Sequence, residues 1–281
     1  MIDGYIYIFV VSLAEAMASE DGGDLWGRPD DCDLTYVVEI PTARVALTAV
    51  QDRAVCAGTP AFPSHGHCVW DAALLLADYL QMKAAETAQQ DASVVDGGHR
   101  FHFKGKKAVE LGAGVGLVGM TLAVLGAQVV LTDQEYALPL LAKNVDVNFR
   151  DKVDVDDTLP KFVAPAVEEC QWGEPFKLGS SLASWKKSAD VVVFSDVLYH
   201  ASAFLLLIET LHELVSPSTD VFFSFETRNA SIEANFLQQL GRTFKVEEAS
   251  REDHVQVFAT FEYPDELFIY HARLKTDSNG N

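Results

Sequence analysis

From residue 106 onward the chain alternates short apolar runs with longer stretches of helical period, and this alternation limits the folds open to it. "KKAVEL", "QVVLTD", "KFVAPAVEECQW", "ADVVVFSD" and "DVFFSFE" read as strands, and "LVGMTLAVLG", "ALPLLAKNVDVNF", "AFLLLIETLHELVS" and "SIEANFLQQLGRTF" as helices. Strands that are apolar along most of their length must be covered on both faces, and helical crossovers make successive strands parallel. The pattern therefore predicts an α/β chain built on a Rossmann-like, doubly wound sheet. The end departs from a plain dinucleotide fold. "FKVEEAS" and "ELFIYHARLK" are strand-like with no convincing helix between them, which predicts a closing antiparallel hairpin.

Ahead of this region, "LTYVVEIPTARVALTAV" (34–50) alternates β-branched residues around Pro41 and predicts a strand pair. In "VWDAALLLADYLQMKAA" (69–85) the period becomes helical, with Val69, Ala73, Leu76 and Leu80 on one stripe. Residues 18–33 are rich in Asp and Gly without periodicity and read as part of a mobile arm. Two readings of residues 1–16 stay open, an upstream extension ahead of the polar start "MASEDGGD" at Met17 or a small buried strand. The apolar opening carries Asp3 where a signal peptide needs positive charge, and it is too short to span a bilayer. The expected division is an arm (1–33), a small N-terminal β extension (34–65), a main domain (66–275) and a tail (276–281).

With 281 residues, 49% of them hydrophobic, the chain can fill one sizeable core. Its formal net charge of −20 opposes nucleic-acid binding, and acids lining a cleft would draw a basic partner. Cys32, Cys56, Cys68 and Cys170 form no C-x-x-C pair and have no nearby His at zinc spacing, so neither a disulfide framework nor a metal site is indicated. The expectation is a cytoplasmic protein, off the membrane and monomeric.

Two patterns fit the glycines between the first strand of the alternation and its helix. Gly114, Gly116 and Gly119 spell the G-x-G-x-x-G of dinucleotide sites, whereas Glu110, Gly112, Gly114 and Gly116 spell the E-x-G-x-G-x-G of methyltransferases. The first pattern begins two residues beyond the expected strand end and puts Gly119 well inside the helix. The second explains more residues. Glu110 at the strand end can help position the methionyl part of S-adenosylmethionine, a cofactor with a sulfonium cation and no phosphate. Asp133 ends the next strand, where its two oxygens can accept hydrogen bonds from ribose hydroxyls, a feature both cofactors share. Trp172 closes the third strand, where an indole can lie against adenine, and "FSDVLYH" puts Ser195, Asp196 and Tyr199 at the mouth of the same cleft. Residue 203 is Ala, so the Tyr-x-x-x-Lys of short-chain dehydrogenases is missing.

From about Val69 to Lys275 the chain resembles the seven-β-strand class I methyltransferases and, within them, the family 16 protein-lysine methyltransferases of the methyltransferase-like 21 group. The resemblance rests on "VWDAALLLADYL", "VELGAGVGLVGM", "VVLTDQEYALPLLAKNV", "QWG" and "SDVLYH" in this order. It implies a seven-stranded sheet with an antiparallel last strand, S-adenosylmethionine as cofactor, and a protein substrate with an accessible lysine, such as a chaperone, an AAA ATPase or an elongation factor. The family's D-x-x-Y hallmark falls on Asp196 and Tyr199, and its cofactor contacts fall on Trp70, Gly112, Ala113, Gly114, Asp133, Trp172 and Ser195. Asp196 is expected to orient the incoming lysine or stabilise the cofactor end, and Tyr199 to shape the acceptor channel. Arg228 in "FETRN" is open between binding a carboxylate and capping the sheet, and His200 is given no role. The acidic arm and residues 252–266 do not match the family closely. Alternatives are transfer to another nitrogen, of arginine or a small molecule, or a catalytically silent cofactor-binding module. "SDVLY" in place of an N-P-P-Y tetrad opposes amide or nucleobase acceptors.

Overall fold

The computed structural model describes residues 35–52, 66–92, 102–150 and 162–276. The arm, most of the segment joining the β extension to the main domain and the tail beyond residue 276 lie outside them. The expected strand pair is β1 (Thr35–Ile40) and β2 (Val45–Val50), an antiparallel two-stranded sheet with Thr35 opposite Val50.

The main domain runs α1 (Asp71–Ala92), β3 (Lys107–Leu111), α2 (Leu117–Val124), β4 (Gln128–Asp133), α3 (Leu138–Val145), a π-helical turn Asp146–Arg150, and β5 (Ala166–Glu169). It continues with α4 (Ser181–Ser184), β6 (Val191–Ser195), α5 (Phe204–Leu214), β7 (Asp220–Glu226), α6 (Ala230–Leu240), β8 (Phe244–Glu248), α7 (Val255–Phe258) and β9 (Leu267–Leu274). Seven strands form one sheet in the order β5-β4-β3-β6-β7-β9-β8, with β9 antiparallel to both of its neighbours and the pairs from β5 to β7 parallel.

The apolar strands are explained by two cores. Val191, Val193 and Phe222 join the cluster formed with α1, α2 and α3, whereas Val192, Phe194 and Phe223 join the one formed with α5 and α6. Successive residues point to opposite faces, so a sheet covered on both sides needs apolar residues at every position. The stripe foreseen on α1 is too narrow: Ala72, Leu75, Tyr79 and Met82 are buried as well, because the helix packs against β7, β9, α2 and α7 together.

Two further expectations need correction. The third strand is only Ala166–Glu169, since β5 pairs with β4 alone and β4 ends at Asp133 opposite Glu169. Trp172 thus stands in the turn beyond the strand. Between β8 and β9 there is a helix after all, the four-residue α7, followed by a 3-10 turn Pro264–Glu266. It is too short to leave a periodic signature. It packs on α1 through His254 beside Tyr79, with ring centroids 5.2 Å apart, and through Gln256 Nε2 donating to Met82 Sδ at 3.1 Å.

Candidate active site

In the sheet order, β3 has β4 on one side and β6 on the other, so consecutive connections diverge and leave a crevice at the carboxyl ends of β3, β4 and β6. The loop after β3 forms its floor. Gly112 and Gly114 adopt φ values of 66° and 54°, in the left-handed region that L side chains rarely enter. A Cβ on Gly112 would lie 2.8 Å from Val197 Cγ1 and 3.3 Å from Trp172 Cζ2, so the Trp172 ring rests against bare backbone.

Asp133 closes β4 beside this floor. Its Oδ2 accepts from Gly114 N at 2.8 Å and its Oδ1 from Gln134 N at 2.7 Å. Each oxygen keeps a second lone pair for a ligand. Burial pushes this carboxyl up, and the two amides pull it back toward ionisation.

Glu110 is placed differently from expectation. It does not line the cleft; its side chain is buried, and Oε2 accepts from Gly119 N at 2.8 Å in the first turn of α2. The carboxyl caps a helix rather than reaching toward a methionyl group. Burial raises it to about 8, against the pull of that hydrogen bond. This cap weighs against the dinucleotide pattern, because one amide in the first turn of α2 is already satisfied from within. Gly119 itself is a packing residue, since a Cβ there would collide with Leu131 and sit 2.7 Å from Glu110 Oε2.

The loop after β6 supplies the opposite wall. Asp196 has φ 55°, a conformation that costs a non-glycine residue about 1–3 kcal/mol and needs support from its surroundings. Support comes from its amide, which donates to Ser224 O at 2.9 Å, and from its carboxylate. Arg228 Nη1 donates to Oδ1 at 2.7 Å and Nη2 to Oδ2 at 2.8 Å, while Glu226 N reaches Oδ1 at 3.2 Å. Arg228 Nη2 also meets Glu226 Oε2 at 2.9 Å, and its guanidinium carbon is 5.2 Å from the centre of the Trp70 ring. Tyr199 lies edge-on to His200, and burial, with Asp133 and Asp196 adding to it, holds its phenol up at about 12. It is a proton donor at neutral pH.

Trp70, Gly112, Ala113, Gly114 and Asp133 therefore line one cleft together with Trp172, Ser195, Asp196 and Tyr199, and Glu110 is the expected residue that does not. Gly66, Cys68 and Arg228 also line it and were not foreseen as parts of the site. Arg228 was visible two residues beyond β7, but its partner is set by β6 lying beside β7. Among the described residues lining the cleft, Arg228 is the one Lys or Arg, and its guanidinium is held by two carboxylates. A cleft with Asp133 and no free Lys or Arg suits a cationic sulfonium ligand better than a pyrophosphate. A second cavity adjoins it, sharing Asp196, Tyr199 and Arg228 and lined further by Phe225, Ile232, Glu226, Glu233 and Glu266.

Comparison with known proteins bears on this geometry. A family model described as lysine methyltransferase matches residues 59–243. Protein N-lysine methyltransferase METTL21A of Mus musculus is 35% identical over 181 residues, covering 63% of this chain and 68% of that protein. METTL21A of Danio rerio is 34% identical over 193 residues, covering 66% and 74%. EEF1A lysine methyltransferase 3 of Xenopus tropicalis is 33% identical over 172 residues, covering 61% of this chain and 62%, less than two thirds, of that protein.

Proposed function

The chain belongs to the lysine methyltransferase family, and from that premise we propose that its cleft binds S-adenosylmethionine and directs methyl transfer to the side-chain nitrogen of a lysine on a protein. The observation that carries this reading is the site's division of labour: a glycine floor with Asp133 on one side and the Asp196 and Tyr199 loop on the other.

When bound, S-adenosylmethionine would supply a methyl activated by its positive sulfur. The chain's residues orient and exclude water. Asp133 would hold the ribose hydroxyls with its remaining lone pairs and Trp172 would cover the adenine, while the glycines at 112 and 114 let the Trp172 ring and the Gly66 backbone close in on the loop. Tyr199 and Asp196 flank the entry of the acceptor, which must arrive at near-attack distance behind the methyl carbon. A lysine side chain has a reference pKa of about 10.4, and only its neutral form attacks, so its proton leaves to solvent first. Tyr199, with its phenol near 12, does not take that proton at neutral pH.

The substrate class is a protein such as a chaperone, an AAA ATPase or an elongation factor; one relative is named for EEF1A. Residues 66–275 form the catalytic domain, the β1–β2 hairpin being its N-terminal extension. The chain works as a cytoplasmic monomer away from nucleic acid and membranes. The net charge of −20 opposes contact with nucleic acid, and among the described residues no helix is long and apolar enough to cross a membrane.

Transfer of tritium from labelled S-adenosylmethionine to the proteins of a cell lysate tests the reading. The wild-type chain is expected to label a discrete band as methyllysine, and Asp133→Ala and Asp196→Ala to abolish it. No labelled protein, despite tight cofactor binding, would assign the cleft to a small-molecule acceptor or a silent binding module.

A further inference from the structure

Asp196, Arg228 and Tyr199 line both the cleft and the cavity beside it, and so form a wall that an acceptor entering from that cavity would meet. The charge on that wall decides which form of a lysine it stabilises. A lone carboxylate within about 4–6 Å of an amine favours the ammonium and raises its pKa by about 1–3 units, which opposes attack on a methyl group.

Asp196 is not a lone carboxylate. Arg228 grips both of its oxygens, at 2.7 and 2.8 Å, in the parallel two-bond geometry that a guanidinium forms and an ammonium does not. The Asp196 side chain is 3% exposed and that of Arg228 24%, so the pair is shielded from competing water. Arg228 is steadied in turn by Glu226 and by the Trp70 ring.

The other charged or titratable groups facing the pair are accounted for. Glu226 is bound to Arg228 Nη2. Glu233 accepts from the Arg228 and Asn229 amides at 2.8 and 2.9 Å and from the Thr227 hydroxyl. Asp133 is held by two amides across the cleft. Glu266 lines the second cavity, and Tyr199 and His200 lie on the same loop as Asp196.

We propose, resting on the lysine reading above, that Arg228 is a positioning residue: by cancelling the Asp196 charge it leaves the acceptor lysine to sit at the wall as a neutral amine. The proton shed by the ammonium goes to water before attack; the amine lone pair then forms the new N–C bond while the S–C bond breaks with its electrons on sulfur. Asp196 consequently shapes the entry through Arg228 and is not the counter-ion of the substrate.

The test is the pH dependence of kcat and the KM for the protein acceptor recovered from the lysate assay, with melting curves to establish folding of each variant. Arg228→Gln is expected to move the rising limb of kcat to higher pH by about one unit or more and to lower KM, because a freed carboxylate captures the ammonium. Arg228→Lys keeps the charge and should keep the limb near its wild-type position. The double variant Glu226→Gln/Arg228→Gln leaves Asp196 as the carboxylate released at the wall and should show the same displaced limb as Arg228→Gln. That variant carries the test alone if Arg228→Gln does not fold. A limb and KM unmoved in Arg228→Gln, or a limb at the wild-type pH in the double variant, would overturn the inference while methyllysine formation by the wild type leaves the enzyme class standing. Label on a non-lysine acceptor from the wild type would remove both, and is seen before any variant is made.

Discussion

Glu110 is an ionisable side chain sealed in the interior against Gly119, and its burial couples folding to pH. In the folded chain its carboxyl titrates at about 8, against 4.5 for the free group. Between those values the folded state holds a proton that the unfolded state releases, so stability falls as pH rises through the window. Glu110→Gln cannot ionise and still offers an amide oxygen to Gly119 N. Its melting temperature is expected to gain on the wild type steadily from about pH 4.5 to about pH 8. A constant difference across that range would show that Glu110 does not titrate there. Asp78, also buried and raised to about 7, is common to both proteins and cancels from the comparison.

The β1–β2 hairpin owes its place to two asparagines on the element that follows β4. Asn144 and Asn148 turn their amides toward the free edge of β2 and imitate a neighbouring strand. Oδ1 of Asn148 accepts from Thr48 N and its Nδ2 donates to Thr48 O, both at 2.7 Å; Asn144 does the same for Val50 at 2.7 and 3.1 Å. An edge strand carries unpaired backbone groups that need such partners when covered. Asn148→Ala strips the Thr48 amide and carbonyl of their partners and is expected to cost about 1–3 kcal/mol in urea unfolding. Hydrogen exchange at Thr48 should rise while that of β3 and β4 stays slow. Protection of Thr48 unchanged would show that the hairpin is held by its apolar side chains alone. The hairpin was legible from alternation around Pro41, but its dock was not, because an asparagine in a helix reads the same whether it faces water or a strand.

At the scale of the whole molecule, the net charge of −20 meets a transfer site whose neighbouring cavity carries Glu226, Glu233 and Glu266. A basic protein face is drawn to such a surface, and salt screens the attraction over a Debye length of about 10 Å at 0.1 M. The KM for the protein acceptor is expected to rise severalfold with ionic strength while cofactor affinity stays level. A salt-independent KM would mean that the acceptor docks through apolar contacts instead. The architecture behind this site was largely written in local pattern. Apolar runs announced strands covered on both faces, and helical spacing announced what lies between them. Asp133, Asp196 and Tyr199 stood at the strand ends where a cleft forms. These features are local because burial acts on each element at its own period. Tertiary structure alone decided that β9 slots between β7 and β8, that Glu110 turns into α2, and that Asp196 meets Arg228 across 32 positions of chain. Such pairings depend on which strands lie side by side, and a residue's own neighbourhood in sequence carries no record of that.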